Sequence, residues 1–199
     1  MGLGRNEMRA VFAKARVGIA GAGGLGSNCA AALVRSGIGA LVVVDFDVVS
    51  EANLDRQFYF HDQVGRPKVE ALAENLARID RKVEIEAHNA MLAPSSICAL
   101  FSGCDVVVEA FDSAEAKEML IETVLGAMPG TPVVAASGLA GVGGFGRLRV
   151  IRRDDLTLCG DFESGIAPDM PPVAPRVAIV AGMEADAVLE LLLERARKP

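Results

Sequence analysis

Cysteine is scarce in this 199-residue sequence, and its few copies lie far apart. The four cysteines, Cys29, Cys98, Cys104 and Cys159, include no Cys-x-x-Cys pair. This spacing argues against a zinc site built on such pairs and against a dense disulfide framework, so we expect no bound zinc. Free cysteines without a disulfide pattern are typical of a reducing compartment, which predicts a cytoplasmic protein.

Positive charge is also in short supply. With 20 Lys and Arg against 26 Asp and Glu, the net charge is −6 at pH 7, so the sequence offers no general basic field and no nucleic-acid partner is expected. Two charge-free stretches, 17–34 and 123–146, are interrupted by glycines, and the second also by prolines. Neither is expected to span a membrane. Arg5, Glu7 and Arg9 stand where a signal peptide would need an apolar core.

Short β-branched runs alternate with helical patterns through the first two thirds of the chain. This alternation predicts an α/β fold, namely a Rossmann-like, doubly wound, mostly parallel sheet with helices on both faces. Helices are expected at 67–80 and from about 176 to 197, and the absence of a linker predicts a single domain over 1–199. The parallel strands are expected at 16–20, 40–45, 82–87, 105–109 and 132–136, followed by an antiparallel pair at 147–152 and 156–159.

Residues 21–26, with the sequence Gly-Ala-Gly-Gly-Leu-Gly, follow an apolar run and lead into a helical pattern. Glycines at the first, third and sixth positions allow a tight turn after a strand, a close approach to a phosphate, and close packing of the next helix. Asp45 ends the following apolar run, where a carboxylate can accept hydrogen bonds from ribose hydroxyls. We therefore expect a nucleotide at Gly21, Gly23, Gly24, Gly26 and Asp45.

A connection of about twenty residues follows Asp45, and loops of this length are usually functional or disordered. Its aromatic residues, Phe58 to Phe60, argue against disorder. Arg56 and Lys68 are the cations expected to neutralise a polyphosphate. Lys68 falls in a first helical turn, where the helix dipole disfavours a cation by about 0.3–1 kcal/mol, and a solvated surface lysine is the alternative.

Asp112 follows the apolar run 105–111, at the expected carboxyl edge of the sheet. A carboxylate there can hold Mg²⁺ against phosphate oxygens. Asp112 also precedes Ser-Ala-Glu, a pattern typical of a helix N-cap. The two roles are compatible, and both remain open from the sequence.

Several segments occur in the order seen in ubiquitin-activating-enzyme-like adenylyltransferases, and the chain resembles this ThiF/MoeB-type family from about Arg5 to the last helix. Within the family it is most similar to the short ThiF form, which acts on the ThiS sulfur carrier. The matching segments are 21–28, 45–47, 53–57 (Asn-Leu-Asp-Arg-Gln), 67–70 (Pro-Lys-Val-Glu), 111–112 and 174–180.

The resemblance implies ATP-dependent adenylation of the C-terminal glycine of a ubiquitin-like, ThiS-like sulfur carrier that ends in Gly-Gly, with release of pyrophosphate, for thiamine (thiazole) biosynthesis. It also implies a homodimer in which Arg5 of one subunit reaches the phosphates of the other. By matching positions, the glycine loop would cradle phosphates and Asp45 would bind ribose. The remaining site residues would be Asn53, Arg56, Gln57 and Lys68 on the phosphates and Asp112 on Mg²⁺.

This chemistry needs positioning and charge more than a general base, because the attacking carboxylate is already ionised. The two histidines, His61 and His88, are therefore interpreted as ordinary loop and strand-end residues. Cys159 is the nearest candidate for a cysteine that takes the carrier in a covalent bond. However, a cysteine that ends an apolar strand is more often buried and inert, and we favour that interpretation here.

Three other functions remain open. An NAD-dependent dehydrogenase fits the glycine motif and Asp45 equally well. ATP-dependent dehydration of a modified tRNA adenosine is disfavoured by the acidic composition. A non-catalytic partner of an activating complex is disfavoured by the intact Arg56, Lys68 and Asp112. Residues 160–175, rich in Gly, Pro and Asp, are expected to form a surface loop, and we interpret it as a mobile cover for the carrier tail.

Overall fold

A computed structural model describes residues 3–197. Within that range seven strands form one sheet, and six α-helices pack around it. The strands are β1 (Arg16–Ala20), β2 (Ala40–Asp45), β3 (Glu84–Asn89), β4 (Val106–Glu109), β5 (Val133–Ala136), β6 (Arg149–Arg153) and β7 (Leu156–Gly160). The helices are α1 (Arg5–Phe12), α2 (Gly24–Ser36), α3 (Lys68–Ala77), α4 (Pro94–Leu100), α5 (Ala114–Ala127) and α6 (Ala174–Arg197).

The strands lie in the order β3-β2-β1-β4-β5-β7-β6. All neighbours are parallel except β6, which pairs with β7 in antiparallel orientation. The chain therefore builds the sheet outward from β1 in one direction and then, from β4, in the other. This is the order of a doubly wound, Rossmann-like sheet, so the predicted fold is confirmed, including its late antiparallel pair.

Strand β4 illustrates how the sheet is buried on both faces. Val106 and Val108 belong to a core cluster that includes residues of α2, α3 and α6. Val107 belongs to a second cluster with residues of α4 and α5. Burial on both faces explains why the central strands are continuous apolar runs and do not alternate with polar residues.

Several predicted boundaries are shifted by one to three residues, and two of them have a clear local cause. Pro67 is the N-cap of α3 and not its first residue, so the helix begins at Lys68. The strand expected from residue 82 begins at Glu84, because Lys82 is held in a turn by the carboxylate of Asp80, whose Oδ1 accepts from the Lys82 amide at 2.9 Å. Helix α1 has no counterpart among the predicted elements; it is short, and Phe12 is its one buried residue.

Helix α6, with 24 residues, is the longest element and packs chiefly against α2. Neither this helix nor another in residues 3–197 combines the length and apolar composition that crossing a bilayer requires. Its inward face includes the charged residues Arg176 and Glu184, which are both buried.

Glu184 is fully buried, and neither of its carboxyl oxygens has a hydrogen-bond partner within residues 3–197. Burial raises the pKa of Glu184 well above its usual range, and the nearby Glu109 raises it further while Lys117 opposes the shift. Glu109 is buried too, but the ammonium of Lys117 lies 2.8 and 3.0 Å from its two oxygens. The thiols of Cys29 and Cys159 complete the surroundings of Glu184. Burial raises the pKa of Glu109 as well, although Lys117 and the amide of Phe111 oppose the shift. Glu184, which has no such partners, is therefore the carboxyl that we expect to hold a proton.

Replacing Glu184 by Gln should remove a pH dependence of stability. A carboxyl whose pKa is higher in the folded than in the unfolded protein loses stabilising effect as the pH rises, because the unfolded chain releases its proton first. Above the unfolded pKa of about 4.3, the wild type should lose about 1 kcal/mol per pH unit relative to Glu184→Gln.

Urea unfolding at pH values between about 5 and 7 measures this difference. Glu190→Gln, at an exposed position on the same helix, is the control and should follow the wild type. Parallel stability curves for the wild type and Glu184→Gln would show that Glu184 is ionised in the folded protein.

Candidate active site

The candidate site lies at the carboxyl edge of the sheet, between β1 and β4. Strand order reverses there, and open α/β sheets bind their ligands at such a point. Residues 21–26 leave β1 and form the glycine loop. Residues 46–67 leave β2 and form a long connection that we call the clamp loop. Residues 110–113 leave β4 on the opposite side of the glycine loop.

Two of the glycines in the glycine loop are required by sterics. Gly21 has φ of 103°, and a Cβ there would lie 2.7 Å from the carbonyl oxygen of Ala110. A Cβ on Gly26 would lie 1.9 Å from the carbonyl oxygen of Gly21. Gly23 and Gly24, in contrast, are partly exposed, and the N–H groups of residues 23–26 donate to no acceptor within residues 3–197. These amides, at the N-terminus of α2, are available to phosphate oxygens.

Asp45 joins the glycine loop to the start of the clamp loop. Its Oδ2 accepts from the Ala22 amide at 2.6 Å, and its Oδ1 accepts from the Asp47 amide at 2.8 Å. Asp47 Oδ2 in turn lies 2.7 Å from the ammonium of Lys68. The buried hydroxyl of Tyr59 donates to the carbonyl of Ala22 at 2.7 Å. One network therefore fixes the ends of β1 and β2 and the first residue of α3.

Lys68 is not a solvated surface residue, since its side chain is only 7% exposed. The alternative interpretation from the sequence is therefore wrong. A buried ammonium needs a partner, and Asp47, whose side chain is half exposed, supplies it. Burial of Tyr59 raises the pKa of its phenol, and the carboxylates of Asp45 and Asp47 raise it further. The phenol thus remains a hydrogen-bond donor.

The far end of the clamp loop is tied to α2. The hydroxyl of Ser27 accepts from the Phe58 amide at 3.0 Å. The side-chain amide of Asn28 donates to the carbonyls of Gly24, at 2.7 Å, and Arg56, at 2.9 Å. These bonds place residues 56–58 directly over the first turn of α2.

Arg56 and Gln57 lie against the two open glycines. A Cβ on Gly24 would be 3.9 Å from Arg56 Cγ, and one on Gly23 would be 3.8 Å from Gln57 Nε2. The guanidinium of Arg56 is bound to Asp55 Oδ1 at 2.6 Å. Gln57 Oε1 is buried and finds no partner within the described part of the chain, so this amide has an unused acceptor beside the glycine loop.

Asn53 has a local structural role. Its Oδ1 accepts from the Ser50 amide at 3.0 Å. Its carbonyl accepts from the amides of Arg56 and Gln57, at 3.2 and 2.9 Å. Asn53 therefore fixes the short 3₁₀ turn from which Arg56 and Gln57 project.

Asp112 lies two residues beyond Ala110, whose carbonyl touches Gly21, and is exposed. It is not the cap of α5. Ser113 occupies the N-cap, and its hydroxyl accepts from the Ala116 amide at 3.1 Å. Hence the capping interpretation of Asp112 is wrong, because the chain reaches helical geometry one residue later than the pattern suggests. The carboxylate remains outside the cap, facing solvent.

Arg5 is not brought to the glycine loop of its own chain. It begins α1 and lines a cavity of about 680 Å³ with Arg35 and Ser36, at the C-terminal end of α2. The glycine loop lies at the other end of that helix, which is roughly 18 Å away for thirteen residues. The predicted contact between Arg5 and phosphates therefore requires a second subunit.

The cysteines are mostly buried. Cys159 has no exposed surface, and burial raises its pKa to about 12, in agreement with the predicted inert thiol. Cys29 and Cys104 lie in the core, whereas Cys98 is only partly buried.

Three residues of the network were not predicted from the sequence as site residues: Asp47, Tyr59 and Ser27. Their long-range contacts join positions 9–37 residues apart along the chain, and no local pattern reports such pairs. A usable signal existed for Asp47, which follows Asp45 by two residues and so lies on the same side of an extended chain.

The donor set suits a nucleotide with one metal ion. Four free amides, Arg56 and Lys68 surround the place where phosphates would lie. No group of three or more His, Cys, Asp or Glu side chains is gathered within residues 3–197 to hold a metal. Mg²⁺ needs no such group, because it keeps several waters and is bound through one or two carboxylates plus phosphate oxygens. A single carboxylate at Asp112 fits that requirement.

The chain is similar to enzymes of two kinds. Over 107 residues it is 38% identical to the molybdopterin-synthase adenylyltransferase of Salmonella typhimurium, covering 53% of this chain and 43% of that protein. Over 113 residues it is 35% identical to the tRNA threonylcarbamoyladenosine dehydratase of Escherichia coli, covering 56% of this chain and 42% of that protein. The matched part thus spans less than half the length of these relatives.

Solved structures share the fold. The ATP complex of the Escherichia coli dehydratase superposes with a TM-score of 0.84 at 23% identity, over 96% of this chain and 91% of that one. The ATP complex of Escherichia coli MccB gives 0.72 at 18% identity, over 94% of this chain and 58% of that one. At these identities the likeness establishes a common architecture.

The protein family that the ordered sequence segments predicted is confirmed by a match to a family model. The model of the ThiF family matches residues 3–199, which include the glycine loop, the clamp loop, Asp112 and α6. The match extends over far more than half of the sequence, and we conclude that this chain belongs to the ThiF family.

Proposed function

We propose that this protein uses ATP to adenylate the C-terminal glycine of a ubiquitin-like sulfur carrier and releases pyrophosphate. The observation that supports this most directly is the buried Lys68–Asp47 pair, with N and O atoms 2.7 Å apart, which bonds through Asp45 and Tyr59 link to the glycine loop and its four free backbone amides. A fixed cation next to a phosphate-binding loop suits a reaction in which negative charge moves onto a leaving pyrophosphate.

Each residue of the site has a role in this proposal. The amides of the glycine loop and the N-terminus of α2 bind phosphate oxygens. Asp45 accepts one N–H on each oxygen and retains lone pairs for ribose hydroxyls. Arg56 and Lys68 neutralise the phosphates, with Gln57 beside them. The carrier carboxylate then attacks the α-phosphorus, and the bond from that phosphorus to the bridging oxygen of pyrophosphate breaks.

No general base is needed, because the attacking carboxylate is ionised at neutral pH. Mg²⁺ held by Asp112 would supply charge neutralisation on the phosphate oxygens. The residues of the chain itself orient the phosphates and hold Lys68 in place through Asp47.

The family assignment supports an adenylyltransferase, since the Salmonella relative is named as one. For the partner we propose a ThiS-like carrier that ends in Gly-Gly and serves thiamine biosynthesis in the cytoplasm. We further propose a homodimer, because Arg5 lies far from the glycine loop of its own subunit. Pyrophosphate–ATP exchange that depends on such a carrier is the experiment that tests the proposal.

A second candidate is the ATP-dependent dehydration of a modified adenosine in tRNA. It is favoured by one specific observation: the superposition covers 91% of the Escherichia coli dehydratase chain, but only 58% of MccB. The net charge of −6 argues against a tRNA substrate. Exchange that responds to tRNA extracts and not to carriers would favour this candidate.

Lys68→Ala should abolish most of the adenylation. Loss of one preorganised charge-stabilising group costs about 100-fold or more in rate, so carrier-dependent pyrophosphate–ATP exchange should fall by at least that factor. Lys14→Ala, at an exposed lysine outside the site, is the control. Equal exchange by the two variants would show that Lys68 takes no part in the chemistry.

Substitutions at Asp112 and at its neighbour Ser113 should have different effects: the first should lower activity and the second should lower stability. Asp112→Asn should lose about 100-fold in exchange activity while keeping the melting temperature of the wild type, because Asp112 lies outside the cap. Ser113→Ala should lose about 1 kcal/mol of stability with the cap and retain exchange activity. Calorimetry and exchange assays on both proteins measure these effects, and loss of activity in Ser113→Ala alone would contradict the assignment.

Cys159→Ala should retain carrier-dependent exchange at close to the wild-type rate. The thiol is buried and protonated at neutral pH, so it is no nucleophile. Mass spectrometry of reaction mixtures under non-reducing conditions provides the second readout. A covalent carrier adduct that forms with the wild type and is missing from Cys159→Ala would overturn the inert assignment.

A further inference from the structure

A buried ion pair joins three segments of the chain that sequence reasoning left unconnected. Asp161, directly after β7, is 0% exposed, and Arg176, in the first turn of α6, is 2% exposed. One terminal nitrogen of the Arg176 guanidinium, Nη2, donates to Asp161 Oδ2, and the other, Nη1, donates to the carbonyl of Gly143. We name residues 137–144, which follow β5, the acceptor loop.

Asp161 is held in its ionised form. Burial alone would raise its pKa, but the hydroxyl and amide of Ser164, the amide of Glu163 and the charge of Arg176 lower the pKa to about 2. The two amides donate to Asp161 Oδ1 at 2.8 and 2.9 Å. The pair is thus charged on both sides at every working pH, and it organises the first turn of the 160–175 segment. These bonds therefore fix the beginning of the 160–175 segment, which we interpreted from the sequence as a mobile cover for the carrier tail.

The acceptor loop is shaped around this pair. Gly138 has φ of 80°, and a Cβ there would lie 2.1 Å from Asp161 Oδ1. The Asp161 amide donates to the carbonyl of Gly138 at 3.1 Å, and the carbonyl of Ser164 accepts from the amides of Leu139 and Ala140 at 3.2 and 3.3 Å. The backbone path of the acceptor loop therefore depends on the Asp161 carboxylate and on the turn that follows it at residues 161–164.

Helix α6 packs chiefly against α2, so its contact with the glycine loop does not depend on the pair. Val177, the residue after Arg176, packs on the glycine loop, where a Cβ on Gly24 would be 3.0 Å from Val177 Cγ1. The acceptor loop follows β5, on the opposite side of β1 and β4 from Asp45. With the ribose proposed at Asp45, the acceptor loop lies at the end of the site remote from the ribose.

We propose that Asp161 and Arg176 are positioning residues that hold the acceptor loop in the course needed to receive the attacking C-terminal tail. This inference rests on the proposed function. An extended tail ending in two glycines has almost no side chain to bind, so its recognition depends on backbone groups. The acceptor loop offers such groups, since four of its eight residues are glycines with positive φ: Gly138, Gly141, Gly143 and Gly144.

Asp161→Asn and Arg176→Lys test the proposal. The probe is a small ubiquitin-like sulfur-carrier protein ending in Gly-Gly. Both variants should raise the KM for this carrier by about tenfold or more in pyrophosphate–ATP exchange. The Kd for ATP, measured by equilibrium dialysis without carrier, should stay within about twofold of the wild type, because the Asp45 side of the site is untouched. Lys retains the charge of Arg176 and loses the paired donors, so its effect should be the smaller.

Hydrogen exchange provides a readout that needs no carrier. Asp161→Asn should expose the amides of 138–144 to faster exchange and leave those of 22–27 unchanged. The matched control is Glu194→Gln, which breaks an exposed ion pair between α6 and β6 with a 2.8 Å contact to Arg152 and should change neither the carrier KM nor the exchange of the acceptor loop.

The outcomes are distinguishable. If the wild type shows carrier-dependent exchange and the variants change the ATP Kd and carrier KM equally, the pair is merely structural and the inference fails while the proposed function stands. An unchanged carrier KM has the same meaning. If the wild type itself shows no exchange with the carrier, the proposed function fails and the inference fails with it.

Discussion

The carboxylate of Asp45 is the contact on which the site depends. With one oxygen on the Ala22 amide and the other on the Asp47 amide, it binds the end of β1 to the chain leaving β2. Parallel pairing runs along the whole of β1 and β2 and ends at Ala20 and Val44, so beyond that point the two segments need other bonds to hold them together. Without this carboxylate the bonds from the Ala22 amide and the Asp47 amide would be lost, and with them the most direct link between the glycine loop and Asp47, the partner of the Lys68 ammonium.

The clamp loop shows how a long connection becomes rigid without regular structure. Tyr59 anchors its middle to Ala22, while Ser27 and Asn28 hold the segment 56–58 over α2. The loop therefore loses its conformational freedom during folding, before a nucleotide binds. In a site assembled in this way, the side chains are already in place to stabilise the negative charge that develops in a transition state. Electrostatic catalysis depends on such preorganisation.

The fold and the glycine loop could be predicted from the sequence because local rules govern them. Strand runs buried on both faces, such as 40–45, and glycines such as Gly26 leave clear signals. The pairing of Lys68 with Asp47 could not be predicted, since burial of a lysine depends on packing between elements. The cap of α5 was missed by one residue, because Asp112 and Ser113 are equally good capping residues and only backbone geometry decides between them. The Asp161–Arg176 pair spans fifteen residues of irregular chain, and no periodicity reports it.

The adjacent placement of Asp112 and Ser113 has a consequence for how such proteins diverge. Ser113 caps α5, and Asp112 is available to bind the proposed metal ion. A variant that loses Asp112 would keep the cap of α5 at Ser113. Selection on folding alone would therefore not retain the carboxylate that we propose for the metal ion.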